Sequence, residues 1–451
     1  MTRLHAMAIL VRHFARARQS ASLRGDALRD YQDARARRVF SYAMERSPFY
    51  SRHYEGLDVR RWHEFPVIDK SIMMSHFDDF TTRGVRREEA MNVALAGEQT
   101  RNYSQTLADL TVGLSSGTSG HRGLFVIDPW ERAAWAGSVM GRVLPGLRPS
   151  GFKVVLFLRS GSALYDSVRS KWLQFRFRDL MTPIDDAVEM LNEFRPDILV
   201  APPSMLTLLA AARKGSRLRA TPARVISVAE VLDPADEAII AEAFGTPVHQ
   251  IYQCTEGFLA ATCEHGSLHV LEDCISLQYE AADGAQALIK ENGVTVEAAR
   301  VIPVVTDLWR RTQPILRYRL NDILVLEPAP CPCGSGFQRI ARIEGRQDDM
   351  LYFADSNGVM RPFFPDVLRR IVSLSAGDVA DYEIVQDQPG ALRVHFSVSM
   401  DGSRATVEKV LRCGAENILG QYGCKASCIQ IAEGLPPRRP DEKRRRVRRN
   451  G

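Results

Sequence analysis

A short run of small and hydroxylated residues is a candidate phosphate-binding loop. The run consists of Ser115, Ser116, Gly117, Thr118, Ser119 and Gly120. Residues of these types bend tightly and expose backbone N–H groups and hydroxyls, which suits phosphate oxygens that need several hydrogen-bond donors. The Gly-Lys-Ser/Thr ending of a Walker loop is absent. By itself such a run is more often a plain surface loop, so its meaning depends on what accompanies it.

The segment that ends in Thr255 and Glu256 is a second candidate. It reads Tyr-Gln-Cys-Thr-Glu from Tyr252 and follows an apolar stretch that predicts a strand. Wound α/β sheets bind ligands at the carboxyl ends of their strands, and the oxygens of Thr255 and Glu256 suit Mg²⁺ on a nucleotide. The alternative is a turn that merely ends the strand.

Two further segments carry side chains that could bind a nucleoside. In Arg-Tyr-Arg-Leu-Asn-Asp-Ile, Asp322 could accept hydrogen bonds from two ribose hydroxyls; the alternative is an exposed, charged strand. In Gly-Arg-Gln-Asp-Asp-Met, Gly345 could form a hinge and Arg346 could reach nucleotide oxygens; the alternative is a turn.

Cysteine and histidine at short spacings predict a metal site. All eight cysteines follow residue 250, and a chain of this length does not need disulfides to hold a core, which favours a metal over a disulfide framework. The predicted ligands form a tetrahedral Cys₃His set for Zn²⁺: Cys263, His269, Cys331 and Cys333. Because no position is left for water, the site would be structural, and Cys254 and His265 are possible substitute ligands.

The elements that must position these residues are indicated by hydrophobic periodicity. Short apolar runs predict strands at residues 153–159, 198–202, 224–229 and 248–253. Amphipathic segments between them predict helices, and this alternation is typical of a wound α/β sheet with parallel strands. The fold class is therefore α/β.

The chain divides into two predicted domains. Residues 1–345 form a large N-terminal domain with wound sheets and flanking helices, and its first 80 residues are a helical lead-in. Residues 346–451 form a small α+β domain that reads as helix, two strands, helix, strand, and the boundary falls at residues 345–349.

Composition excludes several function classes. The net charge of +5 comes from the tail, since residues 438–451 hold eight basic and two acidic residues, so a nucleic-acid-binding surface is not expected. No apolar run reaches the roughly 18 to 20 residues that span a bilayer, and the basic N-terminus has no signal-peptide pattern. We expect a cytoplasmic protein without a membrane partner.

The order and spacing of the four segments resemble the adenylate-forming superfamily. The motifs are Ser-Ser-Gly-Thr-Ser-Gly, Tyr-Gln-Cys-Thr-Glu, Tyr-Arg-Leu-Asn-Asp and Gly-Arg-Gln-Asp-Asp. Their details, with the upstream Ser-Pro-Phe-Tyr region and the Cys-Pro-Cys-Gly segment, resemble the phenylacetate–CoA ligase branch. The chain looks closest to the group of the indoleacetate–lysine synthetases and the deazaflavin-cofactor adenylating synthetases. The resemblance covers residues 35–447.

The resemblance implies a role for each matching residue. The Ser115–Gly120 run would hold the β- and γ-phosphates of ATP, and Thr255 and Glu256 would serve phosphate and Mg²⁺. The residues implied to contact the nucleoside or the pivot are Ala229, Glu230, Tyr252, Asp322, Arg346 and Asp348. Val228 stands where the family has glycine, and His121 where many relatives have lysine.

The C-terminal tail holds the last implied residue. Lys443 matches the family's lysine that reaches the acid and the α-phosphate, where an ammonium would stabilise the developing negative charge. The alternative is a solvated basic end, and Arg444, Arg445 and Arg446 are expected to be surface residues.

The implied activity has two half-reactions. ATP·Mg²⁺ and a carboxylic acid, expected to be aromatic from apolar residues 135–140, 202–205 and 252–258, give acyl-AMP and pyrophosphate. The small domain then turns about Asp348, and an acceptor displaces AMP. The expected acceptor is coenzyme A or an acyl carrier protein. An amine is the alternative acceptor. A second alternative to this function is a non-catalytic, zinc-containing nucleotide-binding protein. A homodimer is a possible oligomeric state.

Overall fold

The computed structural model describes most of the chain. It describes residues 2–450 except 101, 104, 116–121, 159–160, 162–163, 165–169, 171, 181, 292–293, 374–378, 399–402 and 438–444, and for residues 283–298, 366, 370 and 373 it describes the backbone alone. No helix within these residues is long and apolar enough to cross a membrane.

The secondary structure alternates between helices and strands after a helical start. The helices are α1 (Arg3–Gln19), α2 (Gly25–Arg46), α3 (Pro48–His53), α4 (Lys70–Ser75), α5 (Phe77–Phe80), α6 (Arg87–Thr100), α7 (Pro129–Val143), α8 (Ile184–Phe194), α9 (Pro203–Lys214), α10 (Pro234–Phe244), α11 (Pro365–Ser373) and α12 (Arg404–Gln421). The first strands are β1 (Thr106–Leu107), β2 (Leu110–Leu114), β3 (Leu124–Ile127), β4 (Phe152–Leu158), β5 (Leu173–Asp179), β6 (Ile198–Ala201), β7 (Arg224–Val228), β8 (Val248–Cys254), β9 (Gly257–Thr262), β10 (Leu268–Val270) and β11 (Ile275–Glu291). The later strands are β12 (Val294–Asp307), β13 (Tyr318–Arg319), β14 (Asp322–Glu327), β15 (Arg339–Arg346), β16 (Leu351–Asp355), β17 (Met360–Phe363), β18 (Val379–Gln386), β19 (Ala391–Val398), β20 (Cys424–Lys425), β21 (Cys428–Glu433) and β22 (Val447–Arg449).

Two compact units make up the described chain. The first comprises Met1–Glu280, Pro303–Leu320 and Leu326–Ala341, and the second comprises Ala281–Ile302, Asn321–Val325 and Arg342–Gly451. The second unit thus contains the predicted small domain together with two earlier segments of the chain.

A wound sheet forms the centre of the first unit, which confirms the predicted α/β class. Its strands run in the order β5-β4-β6-β7-β8-β9-β10-β15. The pairs from β5 to β8 are parallel, whereas β9 turns back antiparallel to β8. All four predicted strands are present in this sheet.

Helices cover both faces of this sheet because its strands are apolar on both faces. Along β4, Val155 and Phe157 pack in the core formed with α8, α9 and α10. Val154 and Leu156 belong to a second core that includes residues of α7. Side chains on a strand alternate between faces, so this division is what a sheet buried on both sides requires.

The lead-in helix α1 packs closely against α7. A Cβ atom added at Gly137 would lie 2.2 Å from the carbonyl oxygen of Leu10, and one at Gly141 would lie 2.7 Å from the Cβ of Ala17. The absent side chains therefore let the two helices approach at this point.

The second unit is an α+β arrangement around one core. It contains a three-stranded sheet, β17-β16-β20, and a four-stranded sheet, β21-β19-β18-β22. Its core includes Leu368 of α11, Leu411 of α12 and Ile384 of β18, together with Ala282, Ile302 and Ile323 from the earlier segments.

Candidate active site

The carboxyl ends of β7 and β8 bring one group of predicted residues together. The strands are parallel neighbours, with Val228 opposite Ile251. Ala229 and Glu230 follow the first strand, and Tyr252, Thr255 and Glu256 lie at the end of the second. Strand ends at this edge are where wound α/β folds bind ligands.

Ala229 has a constrained backbone. Its φ of 69° lies in the left-handed region, which costs a non-glycine residue roughly 1–2 kcal/mol. The N–H of Glu230 donates to the carbonyl of Val228 at 2.9 Å, and the carboxylate of Glu230 accepts from the N–H of Ser204 at 3.3 Å. The bend therefore occurs at Ala229. This is one residue after Val228, which stands where the resemblance implies a glycine.

Thr255 and Glu256 form a half-buried pair. The Thr255 hydroxyl donates to the Glu256 carboxylate at 2.8 Å, so their oxygens lie close enough to bind one cation together. Burial, and next the charge of Glu256, raise the pKa of Tyr318 well above its usual value. Tyr318 therefore stays protonated beside this carboxylate.

Ser115 closes the base of the predicted phosphate loop. Its N–H donates to the carbonyl of Gly123 at 2.7 Å, and its hydroxyl accepts from the N–H of Gly123 at 2.7 Å. The antiparallel pair β2–β3 holds both ends of the loop. Ser116, Gly117, Thr118, Ser119 and Gly120, as well as His121, lie outside the described residues.

Two residues that the sequence analysis missed link this loop to Thr255. Arg310, 7% exposed, donates to the carbonyl of Thr255 at 2.5 Å and to the side-chain oxygen of Gln313 at 2.6 Å. That oxygen also accepts from the N–H of Val126, and the Gln313 amide donates to the carbonyl of Leu124. A buried arginine and glutamine thus fix the end of β8 relative to β3.

Glu131 supports the same segment. Its carboxylate accepts from the N–H groups of Arg311 and Thr312 at 2.5 and 2.8 Å, while its second oxygen completes a capping box on α7 with Asp128. Burial, and next the charge of Asp128, raise the pKa of Glu131. The Asp-x-x-Glu spacing could have predicted this cap from the sequence. No sequence pattern indicates the contact between Glu131 and Arg311.

A second group of predicted residues meets within the second unit. The guanidinium of Arg346 lies 3.5 Å from the carboxylate of Asp322. The Asn321 amide donates to Asp348 at 2.5 Å, and the Asn321 carbonyl accepts from the N–H of Gln347 at 2.8 Å. The predicted ribose, arginine and pivot positions are therefore neighbours here.

Gly345 is required by the backbone just before this group. Its φ of +132° is one that L side chains rarely adopt, and an added Cβ would lie 3.3 Å from Pro365. Only glycine adopts such a conformation without strain.

The basic tail is anchored to the short helical turn Gln347–Asp349. Arg445 forms a close ion pair with Asp349, which is 6% exposed. Burial, and next the charge of Arg346, lower the pKa of Arg445 to about 10. Strand β22 then pairs in parallel with β18. Lys443 and Arg444 lie outside the described residues.

The expectation that the arginines after Lys443 are surface residues is wrong for two of them. The side chains of Arg445 and Arg446 are only 20% and 12% exposed. Arg446 lies over the ring of Tyr382 at 4.8 Å and 3.9 Å from Asp381. The buried carboxylate of Asp349, the half-buried one of Asp381 and the ring of Tyr382 draw these arginines inward, and the basic sequence of the tail does not reveal them.

The predicted zinc ligands converge in the first unit. The ligand atoms of Cys263, His269, Cys331 and Cys333 all lie within 4.8 Å of one another. The Sγ atoms of Cys263 and Cys331 are 3.7 Å apart, and Cys333 Sγ is 3.5 Å from His269 Nε2. Tetrahedral zinc bonds place two sulfurs about 3.8 Å apart, and a sulfur and a nitrogen about 3.5 Å apart.

The other ring nitrogen of His269 supports a metal-binding role. Nδ1 lies 3.1 Å from the carbonyl of Phe337. Donation to a carbonyl fixes the tautomer that leaves Nε2 free to bind a metal. The donor set and its spacing therefore fit Zn²⁺, and neither Cys254 nor His265 belongs to the cluster.

Apolar residues of two predicted segments contact each other near the end of β8. Trp135 and Val139 of α7 pack with Phe258 and Ile251 in one cluster. The cluster therefore brings together residues 135–140 and 252–258, two of the three apolar stretches from which an aromatic acid substrate was predicted.

Comparison with known proteins adds a sequence relationship to this geometry. No family model matches the chain. A phenylacetate-coenzyme A ligase of Thermus thermophilus is 24% identical over 395 residues, which cover 81% of this chain and 80% of that protein. This relationship confirms the predicted resemblance to the adenylate-forming superfamily. The similarity is to its phenylacetate–CoA ligase branch, since a second such ligase, from Aromatoleum evansii, is 28% identical over 45% of this chain and 44% of its own.

The adenylate-forming fold extends over nearly the whole chain. A crystal structure of 2-hydroxyisobutyryl-CoA ligase, in the postadenylation state in complex with R3-HIB-AMP, matches with a TM-score of 0.71. The match covers 97% of this chain and 92% of that chain at 18% identity.

Proposed function

We propose that the protein uses ATP and Mg²⁺ to convert a carboxylic acid, expected to be aromatic, into acyl-AMP and then transfers the acyl group to the thiol of coenzyme A. The observation that carries the proposal is the Arg310–Gln313 link, which joins Thr255 to the hairpin of the phosphate loop. The relatives named phenylacetate-coenzyme A ligases support the choice of thiol. A cytoplasmic location is part of the proposal.

The first half-reaction joins two anions. The carboxylate oxygen attacks the α-phosphorus, a P–O bond forms, and the bond to pyrophosphate breaks. We assign Ser115–Gly120 to the β- and γ-phosphates, Tyr252, Ala229 and Glu230 to the adenine, and Asp322 with Arg346 to the ribose. Thr255 and Glu256 would hold Mg²⁺, which neutralises phosphate charge when bound. Lys443 is assigned to the α-phosphate and the acid.

The second half-reaction transfers the acyl group. The thiolate attacks the acyl carbon, a thioester forms, and AMP leaves with the former carboxylate oxygen. We assign the pivot between the two steps to Asp348. We assign a structural Zn²⁺ to Cys263, His269, Cys331 and Cys333, which would staple two loops of the first unit.

ATP–pyrophosphate exchange tests the proposal. A panel of aryl and arylalkyl acids should include one that stimulates incorporation of labelled pyrophosphate into ATP. Lys443→Ala should lower this exchange at least about a hundredfold while ATP binding changes little, because the ammonium acts on charge that develops in the transition state. Arg449→Ala, in the same tail, is the control. No exchange with any acid would contradict the enzyme and favour a nucleotide-binding protein without turnover.

The same reaction identifies the acceptor. AMP release should rise when coenzyme A is added to the activated acid. Release that responds only to a carrier protein, or to an amine such as lysine, would replace coenzyme A with that acceptor.

A further inference from the structure

A cavity of about 550 Å³ opens in the first unit between α1, α2 and Trp309. Arg12, His13 and Arg16 of α1 and Arg35 and Arg38 of α2 line it. None of the residues assigned to the nucleotide or to zinc belongs to this lining.

The lining carries positive charge that nearby carboxylates do not balance. Arg16 lies 3.7 Å from Asp273, a carboxylate that also binds Arg142 at 2.7 Å. Within the described part of the chain, Arg12, Arg35 and Arg38 have no carboxylate partner; the guanidinium of Arg35 donates only to the carbonyl of Leu308.

The arginines are held in place by an aromatic ring. The guanidinium carbons of Arg16 and Arg35 lie 3.8 and 3.3 Å from the ring centre of Trp309. Burial lowers the pKa of Arg35 to about 10; nearby Tyr31 opposes this shift, and the charges of neighbouring arginines, Arg16 first among them, add to it. Such crowding of like charges is unfavourable unless an anion relieves it.

A buried imidazole contributes a second, independent feature. His13 is 2% exposed, and its Nδ1 has no hydrogen-bond partner among the described residues. Its ring meets Trp309 edge-on at 4.7 Å. Burial and the charges of three arginines, Arg16 first among them, lower its pKa to about 3. A bound anion would reverse the effect of those charges.

We propose that this cavity binds the phosphate group of a small-molecule ligand. Arginine presents planar donors that match phosphate oxygens, and four arginines around one concave site suit a multiply charged phosphate. Trp309 connects the cavity to the nucleotide site, because the next residue, Arg310, binds the carbonyl of Thr255. The proposal does not depend on the reaction assigned above.

Titration calorimetry with inorganic pyrophosphate tests the site. Arg12→Gln/Arg38→Gln removes two exposed charges of the cavity and should weaken one binding event by about tenfold or more. The control Arg29→Gln/Arg37→Gln removes two charges from α2 at positions outside the cavity and should leave the affinity unchanged. Both variants should still bind pyrophosphate in the nucleotide site.

Two results would overturn the proposal: wild-type protein that binds no pyrophosphate, or identical isotherms for wild type and Arg12→Gln/Arg38→Gln. Parallel titrations with coenzyme A, dephospho-coenzyme A and AMP distinguish the sources of the phosphate. A loss of affinity in the cavity variant for only one of them identifies the kind of phosphate that the cavity takes.

Discussion

At the scale of residues, the buried ionisable side chain of His13 makes the stability of the protein depend on pH. His13 is surrounded by Arg12, Arg16 and Arg35, and its pKa in the folded protein is about 3 against 6.5 ordinarily. Between these values the unfolded chain binds a proton that the folded chain does not. Stability is therefore lost as the pH falls below about 6.5.

We predict that His13→Phe reduces acid sensitivity. The substitution keeps a ring against Trp130 and Trp309 but removes the titrating group. Because one pKa unit corresponds to about 1.4 kcal/mol, the wild type should lose up to about 2 kcal/mol more of its unfolding free energy than the variant between pH 6.5 and 5. Denaturant unfolding at both pH values measures the difference. Equal losses would mean that folded His13 accepts a proton.

At the scale of elements, the contact between α1 and α7 depends on glycine. We predict that Gly137→Ala destabilises the protein by about 1–3 kcal/mol, since the added Cβ meets the backbone of Leu10 and one helix must shift. Gly420→Ala is the control: this glycine in α12 has nothing within 4 Å, so alanine should stabilise the protein by about 0.5–1 kcal/mol. Thermal unfolding measures both. A neutral Gly137→Ala would contradict the close contact.

The cysteine cluster gives a second prediction for an element. Purified protein should contain about one zinc per chain by elemental analysis, and Cys331→Ser should lose it, because three ligands hold zinc less tightly than four. A strong chelator should lower the unfolding temperature of the wild type. Cys413→Ser, at an exposed position on α12, should keep the metal. Full zinc content in Cys331→Ser would remove that residue from the site.

Sequence patterns predicted features that are determined by residues close together in the chain. The four central strands and the clustering of Cys263, His269, Cys331 and Cys333 followed from periodicity and spacing. The short strands β16 and β17 were missed, and β17 contains Pro362, a residue that argues against a strand. Arg310 and Gln313 were missed because Thr255 and Leu124, whose carbonyls they bind, lie more than fifty residues away in sequence, and no local pattern reports such contacts.

At the scale of the whole molecule, the proposed reaction needs the segment at Asp348 to change conformation. We predict that Asp348→Pro slows acyl transfer far more than pyrophosphate exchange. Proline is tolerated in the first turn of a helix, here Gln347–Asp349, but it fixes φ and would resist the turn. Asp348→Ala, which removes the same carboxylate and its hydrogen bond from Asn321 but leaves φ free, is the control. Equal slowing of both steps would argue against a pivot at this residue.

The second unit also constrains how the gene can be rearranged. Its core takes Ala282, Ile302 and Ile323 from segments that precede the rest of it in the chain. A recombinant fragment that starts at residue 346 would lack these side chains and leave an apolar surface open to water. A chimera made by a single crossover at that point would likewise combine core residues from two parents, so exchange between relatives has to carry all three segments together.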